Sequence, residues 1–198
     1  MKEEIIYGSH NSMTFLPPKH WWGYLGLWIA RCQNKTIVEQ FYADVRVFDF
    51  RIYYDSDNIF GWSFAHGLIN FKSYISVWKY LEILNTLARA NNGTVYIRLI
   101  LEKYESDEDC DCFIRYCKAL ERKKYSNIKF FGGNRKGDWK KLYTFKDNIP
   151  DALNNQFVSS MMPDARWYEK ICPYLYAKRM NKVNKGKMKE IINLFDFV

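Results

Sequence analysis

The sequence has no apolar run of the roughly 20 residues that a membrane-spanning helix needs. Its most aromatic stretch, Trp21-Trp22-Gly23-Tyr24-Leu25-Gly26-Leu27-Trp28-Ile29, is short and reads either as a buried helix start or as an interfacial loop. No internal repeat, linker or low-complexity tract interrupts the 198 residues. That excludes solenoid and multi-domain architectures and leaves one domain, 1–198, large enough for a core of its own. Cysteine is sparse: five occur, an odd number, and Cys110-Asp111-Cys112 has no second cluster to complete a zinc site. The thiols are expected to be reduced, in a reducing compartment. No signal peptide is seen, since Met1-Lys2-Glu3-Glu4 leads straight into a strand. The expected location is therefore cytoplasmic or peripheral on a membrane.

What is present is a balanced globular composition, 48% hydrophobic and 18% aromatic, with a mean hydropathy of −0.40. The 30 basic and 22 acidic residues give a net charge of +8, which favours anionic partners. No nucleic-acid recognition motif accompanies the charge, so nucleic acid is not expected as a partner.

Val45 to Tyr53 organises the chain. Phe48, Phe50 and Ile52 fall on one face of a strand, and Val47, Asp49, Arg51 and Tyr53 on the other. An acid and a base on an inward face must either be paired or line a wet site. The second alternating stretch, Thr94 to Glu102, repeats the arrangement, with Val95, Ile97, Leu99 and Leu101 opposed to Tyr96, Arg98, Ile100 and Glu102. Further strands are expected at Ile5–Tyr7, Ile59–Ala65, Ile128–Phe131 and Ile191–Val198, with weaker ones at Leu142–Phe145 and Phe157–Ser160. Helical spacing covers Thr36–Ala43, with Thr36 or Asn34 as cap, then Tyr74–Asn91 and Ser106–Lys124. Arg166–Met180 is expected to be helical but disturbed by Pro173, and Lys185–Lys189 to be a solvated helix face. Strands alternating with helices imply an α/β fold with a parallel sheet, and about eight such units would close as a small barrel.

Polar groups then gather at strand ends: His10 in Gly8-Ser9-His10-Asn11-Ser12, Asp49 with Arg51, His66 in Ala65-His66-Gly67, and Asp196. Two histidines, two carboxylates and an arginine suit phosphodiester cleavage. One histidine takes a proton from an attacking hydroxyl and the other gives one to the leaving oxygen. Carboxylates hold the imidazole tautomers, and the arginine neutralises charge building on phosphate.

These residues resemble the X-type catalytic domain of the phosphatidylinositol-specific phospholipases C, closest to the bacterial, metal-independent type. The resemblance is carried by residues 8–14, by Gln33-Asn34-Lys35-Thr36-Ile37-Val38-Glu39-Gln40-Phe41, by residues 46–51, by Ala65-His66-Gly67 and by Leu194-Phe195-Asp196-Phe197-Val198, in the family's order. It implies a small, irregular TIM-like barrel and a phospholipase C that gives a cyclic inositol phosphate and a diacylglycerol. It implies His10 as general base, oriented by Asp196, and His66 as general acid, supported by Asp49. It implies Arg51 as phosphate clamp, Arg98 as a second phosphate contact and Arg135 as a contact to inositol hydroxyls. No metal or other cofactor is expected, because Arg51 stands where the calcium-dependent branch has a metal-binding acid. Asn11 departs from the aspartate of the metal-free enzymes, and an alternative keeps Asn11, Asp49 and Glu102 as calcium ligands. The expected partner is an anionic phospholipid or inositol phosphate, met by peripheral contact with a membrane surface. A second reading is a catalytically weak lipid or inositol-phosphate binding module on the same fold.

Overall fold

The computed structural model describes residues 6–147, 155–157, 166–167, 169, 173–185 and 192–198. The expectations for Met1–Ile5, Val158–Ser160, Gly186–Lys189 and Ile191 lie outside these residues. In chain order the elements are β1 (Ile6–Ser9), α1 (Gly23–Ala30), α2 (Ile37–Tyr42), β2 (Val47–Tyr54), β3 (Trp62–His66), β4 (Ile69–Phe71) and α3 (Val77–Ala90). They continue with β5 (Val95–Lys103), α4 (Asp107–Lys123), β6 (Ile128–Arg135), β7 (Asn155–Phe157), α5 (Pro173–Lys185) and β8 (Ile192–Phe195).

Six strands run parallel in the order β7-β8-β1-β2-β5-β6. The order follows the chain in one direction, with β8 returning to β1, so every carboxyl end opens on the same side. The β3–β4 hairpin joins the carboxyl half of β2 in antiparallel fashion. The sheet is thus mixed, and among the described residues β6 and β7 are not paired, so the expected barrel is not shown closed.

Local sequence explains the elements. Thr36 and Glu39 form a capping box, with the Thr36 N–H donating to Glu39 Oε2 at 2.8 Å, and this starts α2 where the cap was expected. Pro173 begins α5 and does not disturb it, since the first helical position has no need of the missing N–H. Leu142–Phe145 is not a strand; Lys141 alone bridges to Asn134.

The alternation of β2 and β5 separates two cores. Phe48, Phe50, Ile52, Val95, Ile97, Leu99 and Leu101 face outward against Phe41 of α2, Leu81 and Leu84 of α3, and Phe113 and Leu120 of α4. Each such large side chain contributes about 1.5–3 kcal/mol on burial. On the inner face Val47, Phe131 and Leu194 form a small plug with Ile6 and Tyr96. Above that plug the inner positions turn polar: Val47 gives way to Asp49 and Arg51, Tyr96 to Arg98, and Leu194 to Asp196. The apolar plug closes the bottom of the sheet, and the charges collect at its carboxyl end.

Candidate active site

The end of β1 is bent into the site by Asn11, whose φ of 44° lies in the left-handed region that asparagine tolerates better than most residues. The turn is fixed from below. The Asn11 N–H donates to Asp49 Oδ2 at 3.2 Å, and the Asp49 N–H donates to Ser12 Oγ at 2.8 Å. Buried Gln33 donates through Nε2 to the carbonyls of His10 (3.0 Å) and Phe195 (2.9 Å), tying the ends of β1 and β8 together. Buried Gln40 accepts from Ser9 Oγ at 2.6 Å and donates to the Ser12 carbonyl at 2.8 Å.

His10 is held on both ring nitrogens. Nδ1 lies 2.8 Å from Asp196 Oδ1. Nε2 lies 2.8 Å from Arg51 Nη2 and 3.1 Å from Asn11 Nδ2. A carboxylate only accepts and a guanidinium only donates, so the ring carries its proton on Nδ1 and a lone pair on Nε2. The His66 ring stands 6.0 Å away, nearly perpendicular at 87°. His66 Nδ1 donates to the Ala30 carbonyl at 2.7 Å, which fixes the Nδ1–H form and leaves Nε2 to titrate. Burial, reinforced by His10 and Arg51, lowers the His66 pKa to about 4, while the Ala30 carbonyl and Glu102 oppose the fall.

Arg51 joins the carboxylates. Its Nε donates to Asp49 Oδ2 at 3.0 Å, and its Nη1 lies 3.5 Å from Glu102 Oε2. Arg98 reaches Asp49 Oδ1 at 3.6 Å and lies under the Trp139 ring, 5.4 Å from its centroid. Burial would raise the Asp49 pKa, but Arg51 and Arg98 outweigh it and hold the carboxyl well below the usual range. Burial would strip Arg51 of its proton, and Asp49 with Glu102 reverse that. Glu102 also pairs with Lys136 and accepts the Gly67 N–H at 2.7 Å. Three carboxylates (Asp49, Glu102, Asp196) thus face three cations (Arg51, Arg98, Lys136).

His10, Asn11, Asp49, Arg51, His66, Arg98 and Asp196 come together. Two expectations are corrected. The hydrogen bonds of Asp49 go to Arg51 and the Asn11 N–H, and the ring it approaches is that of His10, with Nε2 at 3.9 Å; it does not support His66. Arg135 is displaced from the site. A register shift at Gly132-Gly133 pairs it with outward-facing Leu101, where it binds Asp138 and lies over Tyr104. The calcium alternative does not fit the donor set, because the Arg51 guanidinium lies between Asp49 and Glu102, where the ion would sit. A second donor group, His10, Cys32 and Asp196, lies within 4.8 Å, but His10 and Asp196 are already bonded to each other. Reading the sequence missed Lys136 and Trp139, which carry no motif, and gave no role to Gln33 and Gln40, whose bonds are long-range.

The fold and the strand-end site define a singly wound α/β protein with a charged, histidine-bearing cluster at the carboxyl ends of its strands. Among solved structures it is similar to the phosphatidylinositol-specific phospholipase C from Listeria monocytogenes, with a TM-score of 0.57 over 98% of this chain and 88% of that chain. Sequence identity is 17%, so the similarity is one of fold. No family model and no curated protein matches the sequence.

Proposed function

We propose that the protein is a phospholipase C-type phosphodiesterase that cleaves phosphatidylinositol or a related inositol phospholipid. The observation that carries this reading is His10, held as the Nδ1–H tautomer with its Nε2 lone pair beside Arg51 and facing a second histidine. The substrate phosphate accepts hydrogen bonds from Arg51 Nη2 and Asn11 Nδ2 in place of His10, and so uncovers His10 Nε2. Nε2 removes the proton of the inositol 2-hydroxyl, and that oxygen bonds to phosphorus. The phosphorus–oxygen bond to diacylglycerol breaks, its electron pair stays on the leaving oxygen, and a proton from His66 Nε2 completes the alcohol. The other product is a cyclic inositol phosphate. Asp196 stabilises the imidazolium formed at His10. Arg51 and Arg98 neutralise the phosphate, while Asp49 aims both guanidiniums. Asn11 Oδ1 is buried without a hydrogen bond, which supports Asn11 as a substrate contact.

A lipid surface is the fitting partner. α1 packs its glycine face tightly on Pro18 and Ile69, since a Cβ at Gly23 would meet Pro18 Cβ at 2.7 Å. Its other face exposes Tyr24, Leu25 and Trp28, next to exposed Trp21 and Trp22. The helix ends at Ala30, whose carbonyl accepts from His66 Nδ1, so α1 touches the histidine site at its carboxyl end. Among the described residues no helix is long and apolar enough to cross a membrane.

The test is turnover of phosphatidylinositol vesicles by the protein and by its His10→Ala and His66→Ala variants. Both variants are expected to lose activity at least about 10³-fold. Full activity in either variant overturns the assignment. The low proton affinity of His66 favours a second reading, binding without turnover, in which inositol phosphate protects the fold but no product appears.

A further inference from the structure

A general acid must carry a proton when its substrate arrives, and His66 stands in surroundings that take the proton away. With a pKa of about 4, only about one molecule in a thousand would be protonated at neutral pH. The groups facing it are the Ala30 carbonyl, the Cys32 thiol at 3.7 Å from Nδ1, the His10 ring, Arg51 and Glu102. Asn11, near the same rings, brings no charge. Asp49 and Asp196 spend their hydrogen bonds around His10 and Arg51. Glu102 is different. Its side chain is fully buried, and Oε1 accepts the N–H of Gly67, the residue after His66. The same oxygen pairs with Lys136, whose side chain is about one-third exposed, and Oε2 faces Arg51.

We propose that Glu102 is a positioning residue that keeps His66 able to hold the proton it donates, and that Lys136 sets how strongly the carboxylate acts. The relation rests on the function proposed above only for where the proton goes; the electrostatics stand without it. An anionic phosphate beside Arg51 competes with Glu102 for both Arg51 and Lys136. As those cations turn to the phosphate, the carboxylate charge is left facing His66. His66 Nε2 then takes a proton from solvent and later gives it to the leaving oxygen. Substrate binding and loading of the acid are coupled through one ion pair.

The two partners of that pair make opposite predictions, which a merely structural role does not. The chain has three histidines, so each imidazole can be followed by ¹H–¹³C NMR across the range in which histidine titrates. Glu102→Gln is expected to move the His66 titration to lower pH, and Lys136→Gln to move it to higher pH, each by about half a unit or more, with His20 unchanged. Lys136 is partly exposed, so its variant decides the matter even where Glu102→Gln does not fold. An upward shift in Lys136→Gln supports the proposal; no shift, or shifts of the same sign in both variants, overturns it. The titration needs no turnover, so a protein that fails to cleave phosphatidylinositol leaves this test intact.

Discussion

Two N–H donors, from Arg51 and Asn11, converge on His10 Nε2, while Asp196 accepts at Nδ1. His10 is thereby held as the Nδ1–H tautomer, the form that the proposed function requires of its base. Asp196→Asn keeps the shape but removes the carboxylate charge beside Nδ1, so the imidazolium formed at His10 loses its counter-charge. Turnover is expected to fall about 10³–10⁴-fold with a little-changed circular dichroism spectrum. A loss of less than tenfold contradicts the role. At the second histidine the folded pKa of about 4 lies below the ordinary 6.5. Between those values the unfolded chain binds more protons, so stability rises with pH across that window and is lost on acidification through it. Urea midpoints measured across the window are expected to fall with falling pH, and less so in His66→Asn. Asp49 and Arg51 stood out in the sequence because a charge on the inward parity of an alternating strand demands a reason, and His10 and Asp196 because they stand at strand ends. The roles of Gln33 and Gln40 were not legible, because their bonds join the ends of β1 and β8, and β1 and α2, which only the folded chain brings together.

β2 and β5 are read almost to the residue from their period of two, because both faces are buried and each face has its own chemistry. β6 is where pattern reading fails. Gly132 and Gly133, at φ of 87° and 80°, shift the register, so that Leu99 pairs with Gly132 but Ile100 pairs with Asn134. The shift reverses the parity and carries Arg135 to the outer face, which no count along the sequence reveals. A Cβ on Gly133 would meet the Tyr143 carbonyl oxygen at 2.0 Å, whereas one on Gly67, at φ 57°, would meet nothing within 4 Å. Gly133→Ala is therefore expected to prevent folding or cost several kcal/mol, on the order of a buried steric clash. Gly67→Ala should cost only about 1–2 kcal/mol of backbone strain. Equal losses in thermal denaturation contradict this account of β6. The β3–β4 hairpin was half legible: its first strand was expected, but its antiparallel partner, three residues long, is too short to show a period.

Over the whole molecule, the winding of the sheet was read from the alternation of strands and helices, while its closure depends on a β6–β7 seam that is not paired among the described residues. Under the proposed function, the net charge of +8 and the exposed aromatic face of α1 are expected to act together at an anionic bilayer. Replacing Trp21, Leu25 and Trp28 together by Ala is expected to weaken partitioning onto phosphatidylinositol-containing vesicles about tenfold or more. Hydrolysis of a water-soluble inositol phosphodiester should be unchanged, because none of the three side chains belongs to the histidine site. Added salt should weaken vesicle binding further. Unchanged partitioning assigns α1 some other role.

The central claim is a two-histidine phosphodiester cleavage with Arg51 in the place of a metal ion. Phosphorus NMR of the products formed from phosphatidylinositol vesicles, with a calcium chelator present throughout, tests it most directly. The account predicts a cyclic inositol phosphate appearing under chelator at the rate seen without it. Turnover that the chelator abolishes, or the absence of any cyclic phosphate in either condition, contradicts it.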